Sequence, residues 1–339
     1  MKNKSNVILF IGNYLSKSRG SISFVESTLS KISSKNLIFH FSSKFEKKFF
    51  RLFDILLSSI FKKYNVIIID IYSGLFFYLT LIIVIISFLR RKKIILFFRG
   101  GKLVELNKKG PKLFKVFRLS NEIYSPSNFI VNHFKNKKFN IIYLPNSIDT
   151  KSFKFKRKTK FENKILWVRA FDKIYNPKLA IKILYNLLNK NYRIHLTMIG
   201  PDLGELDSCK KLIDKLELKK NISILGPIEH SKLVNYYHES DIYLNTTSFE
   251  SFGNTLCEAA SSGTPIVSSS VGEIPYTWKD KHNIILSKKI DVENFSNAIV
   301  TLINNKDLRN AIILNAKKNI KKFDRTLVLN YWIKMLSKI

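Results

Sequence analysis

The most informative stretch of the sequence spans residues 241–278 and reads DIYLNTTSFESFGNTLCEAASSGTPIVSSSVGEIPYTW. Its order predicts a strand, an acidic loop, a helix of small residues, a Gly-Thr-Pro turn, a second strand and a glycine turn. Glu250 lies in the loop, and Glu258 lies in the helix that follows. Two carboxylates around a helix start that follows a strand indicate a ligand site as well as a fold element.

The rest of the chain repeats this alternation of short apolar runs with longer mixed runs. Near-continuous Ile, Val and Leu runs are typical of parallel strands that helices cover on both faces. The strands predicted outside the opening stretch are residues 7–11, 36–41, 66–69, 94–98, 122–125, 140–144, 165–168, 194–199 and 222–225. The sequence therefore predicts the α/β class, with doubly wound parallel sheets.

A length of 339 residues favours two domains over one. The strand pattern stops near residue 150 and restarts after a basic run. We therefore predict an N-terminal Rossmann-like domain over 1–150, a linker over 151–160, a C-terminal Rossmann-like domain over 161–322, and a C-terminal helix over 323–339 that packs back on the first domain. Because ligands bind at the carboxyl ends of parallel strands, the expected pocket is a cleft between two facing domains.

The formal net charge of +33 has two explanations. It indicates either a surface for polyanions or membranes, or a lysine-rich proteome in which AT-rich codons raise Ile, Asn and Lys together. No base-stacking motif or groove-reading helix accompanies the charge, so nucleic acid is not a predicted partner. Charge alone does not identify the ligand.

Metal and disulfide chemistry are not predicted. The sequence contains two cysteines, no Cys/His cluster with zinc spacing and no Asp-x-Asp motif. The expected environment is reducing and cytoplasmic. Neither a cofactor nor a metal site is expected.

Residues 71–89 are free of charge and are followed by Arg90, Arg91, Lys92 and Lys93. This meets the minimum length and the flanking charge of a membrane span. However, Tyr72, Ser73 and Gly74 favour a turn, which leaves only residues 75–89 for a helix. A buried or interfacial helix is therefore the favoured interpretation, and an inserted one is the alternative.

The loop over residues 246–251 leads into Phe252 and Gly253, where a helix is predicted to begin. Free N–H groups and the helix dipole at such a start favour an anion such as a diphosphate. From this position Glu258 can reach the vicinal hydroxyls of a ribose, and Glu250 can face a sugar ring.

Glu250 and Glu258, embedded in SFESFGN, EAASSGTP and VGEIP, resemble the Glu-x7-Glu signature of retaining glycosyltransferases of the family 4 type, the glycosyl transferases group 1. Residues 143–149, 199–202 and 225–228 are similar to further motifs of that family, in the same order. The resemblance implies the GT-B fold, in which two facing Rossmann-like doubly wound parallel-sheet domains enclose an interdomain cleft.

The resemblance also implies roles for individual residues. Glu250, Arg169 and Lys173 are the expected catalytic residues, with the two cations holding the donor's phosphates. The spacing of Lys173 departs from the family pattern, so Lys178 or no lysine at all remains an alternative. The expected donor-binding residues are Glu258, Phe252, Gly253, Asn254, Thr255 and Pro227, the last of them near the nucleotide base.

In the N-terminal domain, Gly12 and the stretch Arg19-Gly20-Ser21 resemble the glycine loop that closes over donor and acceptor, although ordinary turn chemistry explains them equally well. Arg99 and Gly100 fall where many relatives carry a histidine near the reacting sugar. Because that histidine is missing, Arg99 is expected to meet an anionic group of the donor or the acceptor.

The expected function is retaining transfer of a sugar from a nucleotide-sugar to an acceptor hydroxyl, in the synthesis of surface polysaccharide, lipopolysaccharide or another glycoconjugate. The expected acceptor is a glycan or a lipid-linked glycan. The expected location is cytoplasmic, with peripheral contact at an anionic inner membrane face. The alternatives are a GT-B enzyme of another class, such as a nucleotide-sugar epimerase, and a basic nucleic-acid-binding protein.

Overall fold

The computed structural model describes residues 6–12, 37–42, 45, 47–72, 74–100, 102–135, 139–158 and 160–339. It divides into two compact units. Unit 1 comprises Met1–Ser147 and Thr326–Ile339, and unit 2 comprises Ile148–Arg325. The predicted glycine loop at Arg19-Gly20-Ser21 lies outside the described residues.

The described part of unit 1 contains a parallel sheet of six strands. The strands are β1 (Asn6–Ile11), β2 (Leu37–Ser42), β3 (Val66–Ile71), β4 (Lys93–Phe98), β5 (Glu122–Ser125) and β6 (Ile141–Tyr143). Their order across the sheet is β2-β1-β3-β4-β5-β6. The order reverses between β1 and β3, and such a reversal is where open α/β sheets bind ligands.

Unit 2 carries a second six-stranded parallel sheet. Its strands are β7 (Lys164–Val168), β8 (His195–Ile199), β9 (Ile222–Ile224), β10 (Ile242–Asn245), β11 (Ile266–Ser269) and β12 (Ile285–Ser287). The order β9-β8-β7-β10-β11-β12 is that of a Rossmann fold. Here the switch point lies between β7 and β10.

Helices connect the strands of both units. They are α1 (Lys48–Phe61), α2 (Leu75–Leu89), α3 (Leu103–Lys109), α4 (Asn128–Lys135), α5 (Pro177–Asn189), α6 (Leu206–Lys215), α7 (Leu233–Glu239), α8 (Asn254–Ser262), α9 (Ile274–Thr277), α10 (Val292–Asn304), α11 (Lys306–Ile320) and α12 (Arg325–Leu336). Short 3-10 helices occupy Leu113–Leu119, Lys173–Tyr175, His230–Lys232 and Lys321–Phe323.

Local sequence explains where several helices begin. Pro177 occupies the first turn of α5, where its fixed φ suits the helix and its missing N–H is not needed. The side chain of Asp291 accepts from the backbone N–H of Asn294 at the start of α10. Asn305 caps α11 in the same way.

Both faces of each sheet are covered, which explains the apolar strands. In unit 1, Leu9 and Ile11 face the cluster that contains α1 and α2. The intervening Ile8 and Phe10 face the opposite cluster, to which α12 contributes. This alternation is the two-residue period of a strand.

The C-terminal helix α12 is part of the unit 1 core. Trp332 is buried and stacks on Phe97 of β4, with ring centroids 4.8 Å apart and planes 3° apart. Val328 packs in the same cluster. Helix α12 therefore belongs to unit 1, although it follows unit 2 along the chain.

Residues 151–158, which fall in the predicted linker, are bonded to unit 2. The Lys156 N–H donates to the Ser262 carbonyl at 3.1 Å, and the Ser261 hydroxyl donates to the Phe153 carbonyl at 2.7 Å. Lys158 forms an ion pair with Asp241 at 2.9 Å. This stretch packs as an arm of unit 2.

Helix α2 occupies residues 75–89, as the sequence predicts. Across the described ranges, every helix is too short or too polar to traverse a bilayer.

Candidate functional site

An ion pair between Arg169 and Glu250 lies at the switch point of the unit 2 sheet. Arg169 follows β7, and Glu250 lies in the loop after β10. Nη2 of Arg169 is 2.5 Å from Oε2 of Glu250, and each side chain is only 10% exposed. The Nε group of Arg169 donates to Oδ1 of Asn245 at 3.1 Å, and its guanidinium lies over the ring of Tyr175. The guanidinium is therefore held in one orientation.

Arg169 carries a permanent positive charge in this site. Burial acts to lower the pKa of its guanidinium, but Glu250 and the neighbouring tyrosines raise that pKa above its ordinary value. A planar guanidinium in a partly dry pocket binds phosphate oxygens through two parallel hydrogen bonds. The pair therefore offers an anion site next to a carboxylate that can accept from hydroxyls.

Two glycines pack directly against the backbone of this ion pair. A Cβ atom on Gly272 would lie 2.0 Å from the carbonyl oxygen of Glu250, and a Cβ atom on Gly200 would lie 1.9 Å from that of Arg169. Gly272 also has a φ of +56°. Only glycine allows these approaches. Both glycines lie in motifs that the sequence shows. Their contacts with the carbonyls of Glu250 and Arg169 are seen only in the structure.

The loop between Glu250 and α8 is fixed by Glu250 itself. Its Oε1 accepts from the N–H of Ser251 at 3.2 Å and from that of Phe252 at 3.4 Å. The Phe252 amide, predicted to face the donor, is thus directed at Glu250. Its ring is buried and packs against Phe323, with centroids 5.0 Å apart.

Gly253 caps the N-terminus of α8 with a φ of +91°. The N–H groups of Leu256 and Cys257 donate to its carbonyl. The backbone N–H groups of Asn254 and Thr255 therefore come before the first intrahelical hydrogen bond. At this position a helix leaves N–H donors that can bind an anion.

Glu258 is buried and held from two sides. Its Oε1 lies 2.9 Å from Nε2 of His230, and its Oε2 accepts from the hydroxyl of Tyr237 at 3.0 Å. Tyr237 is fully buried, and burial raises the pKa of its phenol well above the ordinary value, so the phenol remains a donor. Neither partner was anticipated from the sequence, although His230 closely follows the motif that contains Pro227.

We predict that His230 makes stability depend on pH. The hydrogen bond that the imidazolium donates to the Glu258 carboxylate raises the pKa of His230 above its ordinary value of 6.5, although burial opposes this. Because the fold favours the protonated form, its stabilisation is complete below pH 6.5 and is lost as pH rises through the raised pKa. Urea unfolding of wild type and His230→Gln in acidic and alkaline buffers measures the difference.

The free-energy difference between the two proteins should shrink from acid to alkaline pH. His282→Gln, at an exposed histidine, serves as the control and should leave the pH dependence of wild type unchanged. A His230→Gln variant that follows the wild-type curve at every pH would contradict the assignment.

The two candidate phosphate-binding lysines differ in their surroundings. Lys173 is exposed and begins the short 3-10 helix that carries Tyr175, the residue whose ring lies beneath Arg169. The ammonium of Lys178 forms an ion pair with Glu205 at 3.0 Å. Pro227 is exposed beside Gly226, whose carbonyl accepts from the Gly200 N–H at 2.8 Å.

In unit 1, the predicted residues lie at the carboxyl end of the sheet. Nε of Arg99 is 2.6 Å from Oδ1 of Asp70, and Nη1 donates to Oδ1 of Asn146 at 2.6 Å. Burial raises the pKa of the Asp70 carboxyl, and the charge of Arg99 opposes this. The sequence predicts a ligand anion beside Arg99, and the structure shows a protein carboxylate there.

Gly12 and Gly100 border this cluster. A Cβ atom on Gly12 would lie 2.5 Å from Cε1 of Phe10 and 3.2 Å from Oδ2 of Asp70, so the strand end approaches the carboxylate closely. The N–H of Gly100 donates to the Ile71 carbonyl at 3.2 Å. The two glycines thus shape the end of the sheet on either side of Asp70.

In the part of the chain that the structure describes, no group of three or more His, Cys, Asp or Glu side chains is arranged to hold a metal ion.

Comparison with known proteins identifies one family. Residues 148–319, slightly more than half of the chain, match the sequence model described as Glycosyl transferases group 1. The matched range contains every predicted site residue of unit 2. A D-inositol 3-phosphate glycosyltransferase of Corynebacterium jeikeium is 25% identical over 170 residues, which cover 48% of this chain and 41% of the relative. The chain thus spans about two fifths of that relative's length.

Solved structures share the fold. Sucrose-phosphate synthase from Thermosynechococcus elongatus has a TM-score of 0.77 at 13% identity, covering 98% of each chain. Anabaena Alr3699/HepE, solved in complex with UDP and glucose, has a TM-score of 0.73 at 15% identity, covering 98% of this chain and 100% of the other. At these identities the likeness establishes the fold alone.

Proposed function

Because the chain belongs to the glycosyl transferases group 1 and has the GT-B fold, we propose that it transfers a sugar from a nucleotide-sugar to an acceptor hydroxyl. The observation that carries the proposal is the Arg169–Glu250 pair at the switch point, directly before the helix that holds Glu258. The UDP and glucose named with the Anabaena structure are ligands of the proposed donor class.

Arg169 would bind the donor's diphosphate. Its charge is permanent and its orientation is fixed, so it can neutralise negative charge that develops as the diphosphate leaves. The amides of Asn254 and Thr255 would add hydrogen bonds at the α8 start. Lys173, which is exposed near the ring beneath Arg169, would supply a second cation.

The two glutamates would hold the hydroxyl-bearing parts of the donor. Glu250 would accept from hydroxyls of the sugar, since Arg169 and two backbone amides already orient its carboxylate. Glu258 would accept from the ribose hydroxyls. Tyr237 orients Glu258 from the buried side, whereas His230 is half exposed and would yield its place to the nucleoside.

The reaction proposed is transfer with retention of anomeric configuration. The bond from the anomeric carbon to the diphosphate oxygen breaks, and a bond to the acceptor oxygen forms on the same face. The proton of the acceptor hydroxyl passes to the departing phosphate, so no protein base is needed. Retention rests on the family resemblance, metal independence rests on the absence of an Asp-x-Asp motif, and both stay predictions.

The acceptor proposed is a glycan or a lipid-linked glycan in the synthesis of surface polysaccharide, lipopolysaccharide or another glycoconjugate. We place the reaction at the cytoplasmic face of the cell membrane, with peripheral contact. The net charge of +33 and the basic run that follows α2 support an anionic surface as the partner.

We predict that Glu258→Ala chiefly weakens donor binding. Loss of a charged hydrogen-bond acceptor costs about 1.5–3 kcal/mol, which is roughly 10–100-fold in the dissociation constant. Thermal shift against a panel of nucleotide-sugars first identifies the donor, and calorimetry then compares the variants. Glu239→Ala, which removes an exposed carboxylate of the same unit, is the control.

The function itself is tested by product release. Purified enzyme with the identified donor should release free nucleoside diphosphate and extend the acceptor only when both substrates are present. Release that does not depend on the acceptor would contradict transfer. Unchanged donor affinity in Glu258→Ala would instead contradict the role of that residue alone.

A further inference from the structure

Helix α1 presents an apolar stripe to solvent. Its exposed side chains recur every three or four residues and are Phe49, Phe50, Phe53, Leu57, Ile60 and Phe61. Its inward side carries Ile55 together with the two hydroxyls of Ser58 and Ser59. An ordinary surface helix buries its apolar face and exposes its polar one, so α1 has the reverse arrangement.

Helix α2 also presents apolar side chains to solvent. Its exposed apolar side chains are Leu75, Tyr78, Ile82, Ile85, Phe88 and Leu89. Thr80 and Ser87 face inward among Phe77, Ile83 and Val84. A helix that is apolar all round needs an apolar partner on its outer side as well. The described structure contains no such partner for these exposed side chains.

The two helices lie side by side. They pack on the same core cluster and contact one another. The Tyr64 hydroxyl donates to the Ser59 carbonyl at 2.9 Å and lies 3.4 Å from the Ser87 hydroxyl. Arg90 donates to the carbonyls of Ser59 and Lys62. The carboxyl ends of α1 and α2 are therefore fastened together, and their stripes form one surface.

Basic residues gather at the fastened end. They are Lys62, Lys63, Arg90, Arg91 and Lys92, and Asp54 is the single acidic residue within α1 and α2. An apolar face beside a cluster of cations matches the headgroup boundary of an anionic bilayer, where aromatic and aliphatic side chains enter the interface and Lys and Arg reach phosphates. A second copy of this chain would bring the same cations into a shared interface.

We infer that the outward faces of α1 and α2 form a membrane-docking surface for anionic phospholipid. The inference rests on the membrane contact proposed above and adds where that contact is made, whereas it does not depend on the transfer reaction. Helix α2 was the only membrane candidate in the sequence analysis. The structure adds α1, whose exposed phenylalanines widen the surface. It also shows that the inward side of α2 is buried, so that only the outer side of α2 can face lipid.

Flotation of the full chain with vesicles tests the inference. The vesicles contain phosphatidylcholine alone or phosphatidylcholine with phosphatidylglycerol. Wild type should float with the anionic vesicles and bind the neutral ones more weakly. The double variant Phe53→Ser/Ile82→Ser should lose at least about tenfold in its vesicle partition coefficient, because apolar area is what enters the interface. Lys62→Glu/Lys63→Glu should lose the preference for anionic vesicles.

Leu314→Ser is the matched control, because Leu314 on α11 and Ile82 on α2 are each 50% exposed. The control should float as wild type does. The inference is overturned if wild type stays in the soluble fraction, or if the Phe53→Ser/Ile82→Ser variant floats as wild type does. It is also overturned if that variant abolishes self-association in sedimentation velocity while its vesicle binding is unchanged.

The rise in melting temperature on donor binding, measured on the same variants, distinguishes the transferase proposal from the docking-surface proposal. A donor shift equal to that of wild type shows that unit 2 is folded and that the donor site is intact. A variant that binds donor but not vesicles supports the docking surface. Wild type that binds donor but no vesicles removes the docking surface and leaves the transferase proposal standing.

Discussion

Arg169→Ala is expected to lower the turnover of sugar transfer by about 10²–10³-fold, the usual cost of removing one fixed charge-stabilising group. It is also expected to reduce the free energy of unfolding by about 3–5 kcal/mol, because Glu250 is left as a buried carboxylate without its cation. Steady-state kinetics measures the first effect, and urea unfolding measures the second.

A second variant separates the two effects. In Arg169→Ala/Glu250→Gln the buried negative charge is gone, so stability should return toward that of wild type while turnover stays low. Lys190→Ala is the control for loss of a cation elsewhere in unit 2, since that lysine pairs with the exposed Glu293. If the double variant regained both stability and turnover, Arg169 would have a structural role only.

Gly272→Ala is expected to disable the same site without touching a charged side chain. The added Cβ would lie 2.0 Å from the Glu250 carbonyl oxygen, and alanine is strained at a φ of +56°. The loop that carries Glu250 must therefore move. A loss of about 2–5 kcal/mol in stability follows from strain and overpacking together. A displacement of about 1 Å in Glu250 would lower turnover by about 10²-fold.

Gly226→Ala is the matched control for backbone strain. Its φ of +66° is close to that of Gly272, but a Cβ there would meet nothing within 4 Å. It should cost only about 1–2 kcal/mol, the strain of a left-handed alanine. If the two alanine variants unfolded at the same urea concentration and had equal turnover, the prediction would be wrong. Contact with the Glu250 carbonyl would then not be the reason for glycine at position 272.

Local sequence was sufficient for many elements. The bounds predicted for α2 and β5 agree with those observed, because apolar periodicity and flanking turns mark their ends. Helices α3 and α9 and strand β12 were not anticipated. The three residues of β12 are too few to show a period, and α3 is a short helix in a stretch that reads as a loop.

The family and the two-sheet fold also followed from the sequence, since the motifs around Glu250 and Glu258 are local and keep their order. The comparison with group 1 glycosyl transferases confirms that recognition. The site residues stay predictions. Arg169 and Glu250 were each expected to contact the donor, and the sequence did not indicate that they contact one another across 81 residues.

By itself, the sequence determined the alternation of strands and helices along the chain, the helix start at Gly253 and the family, because each depends on residues that are neighbours along the chain. The tertiary structure alone decided which groups meet: Arg99 with Asp70, Glu258 with His230, and Gly272 with the Glu250 carbonyl. It also decided that the phenylalanines of α1 face outward. Apolar periodicity predicts an amphipathic helix, but only packing against the sheet determines which face is buried.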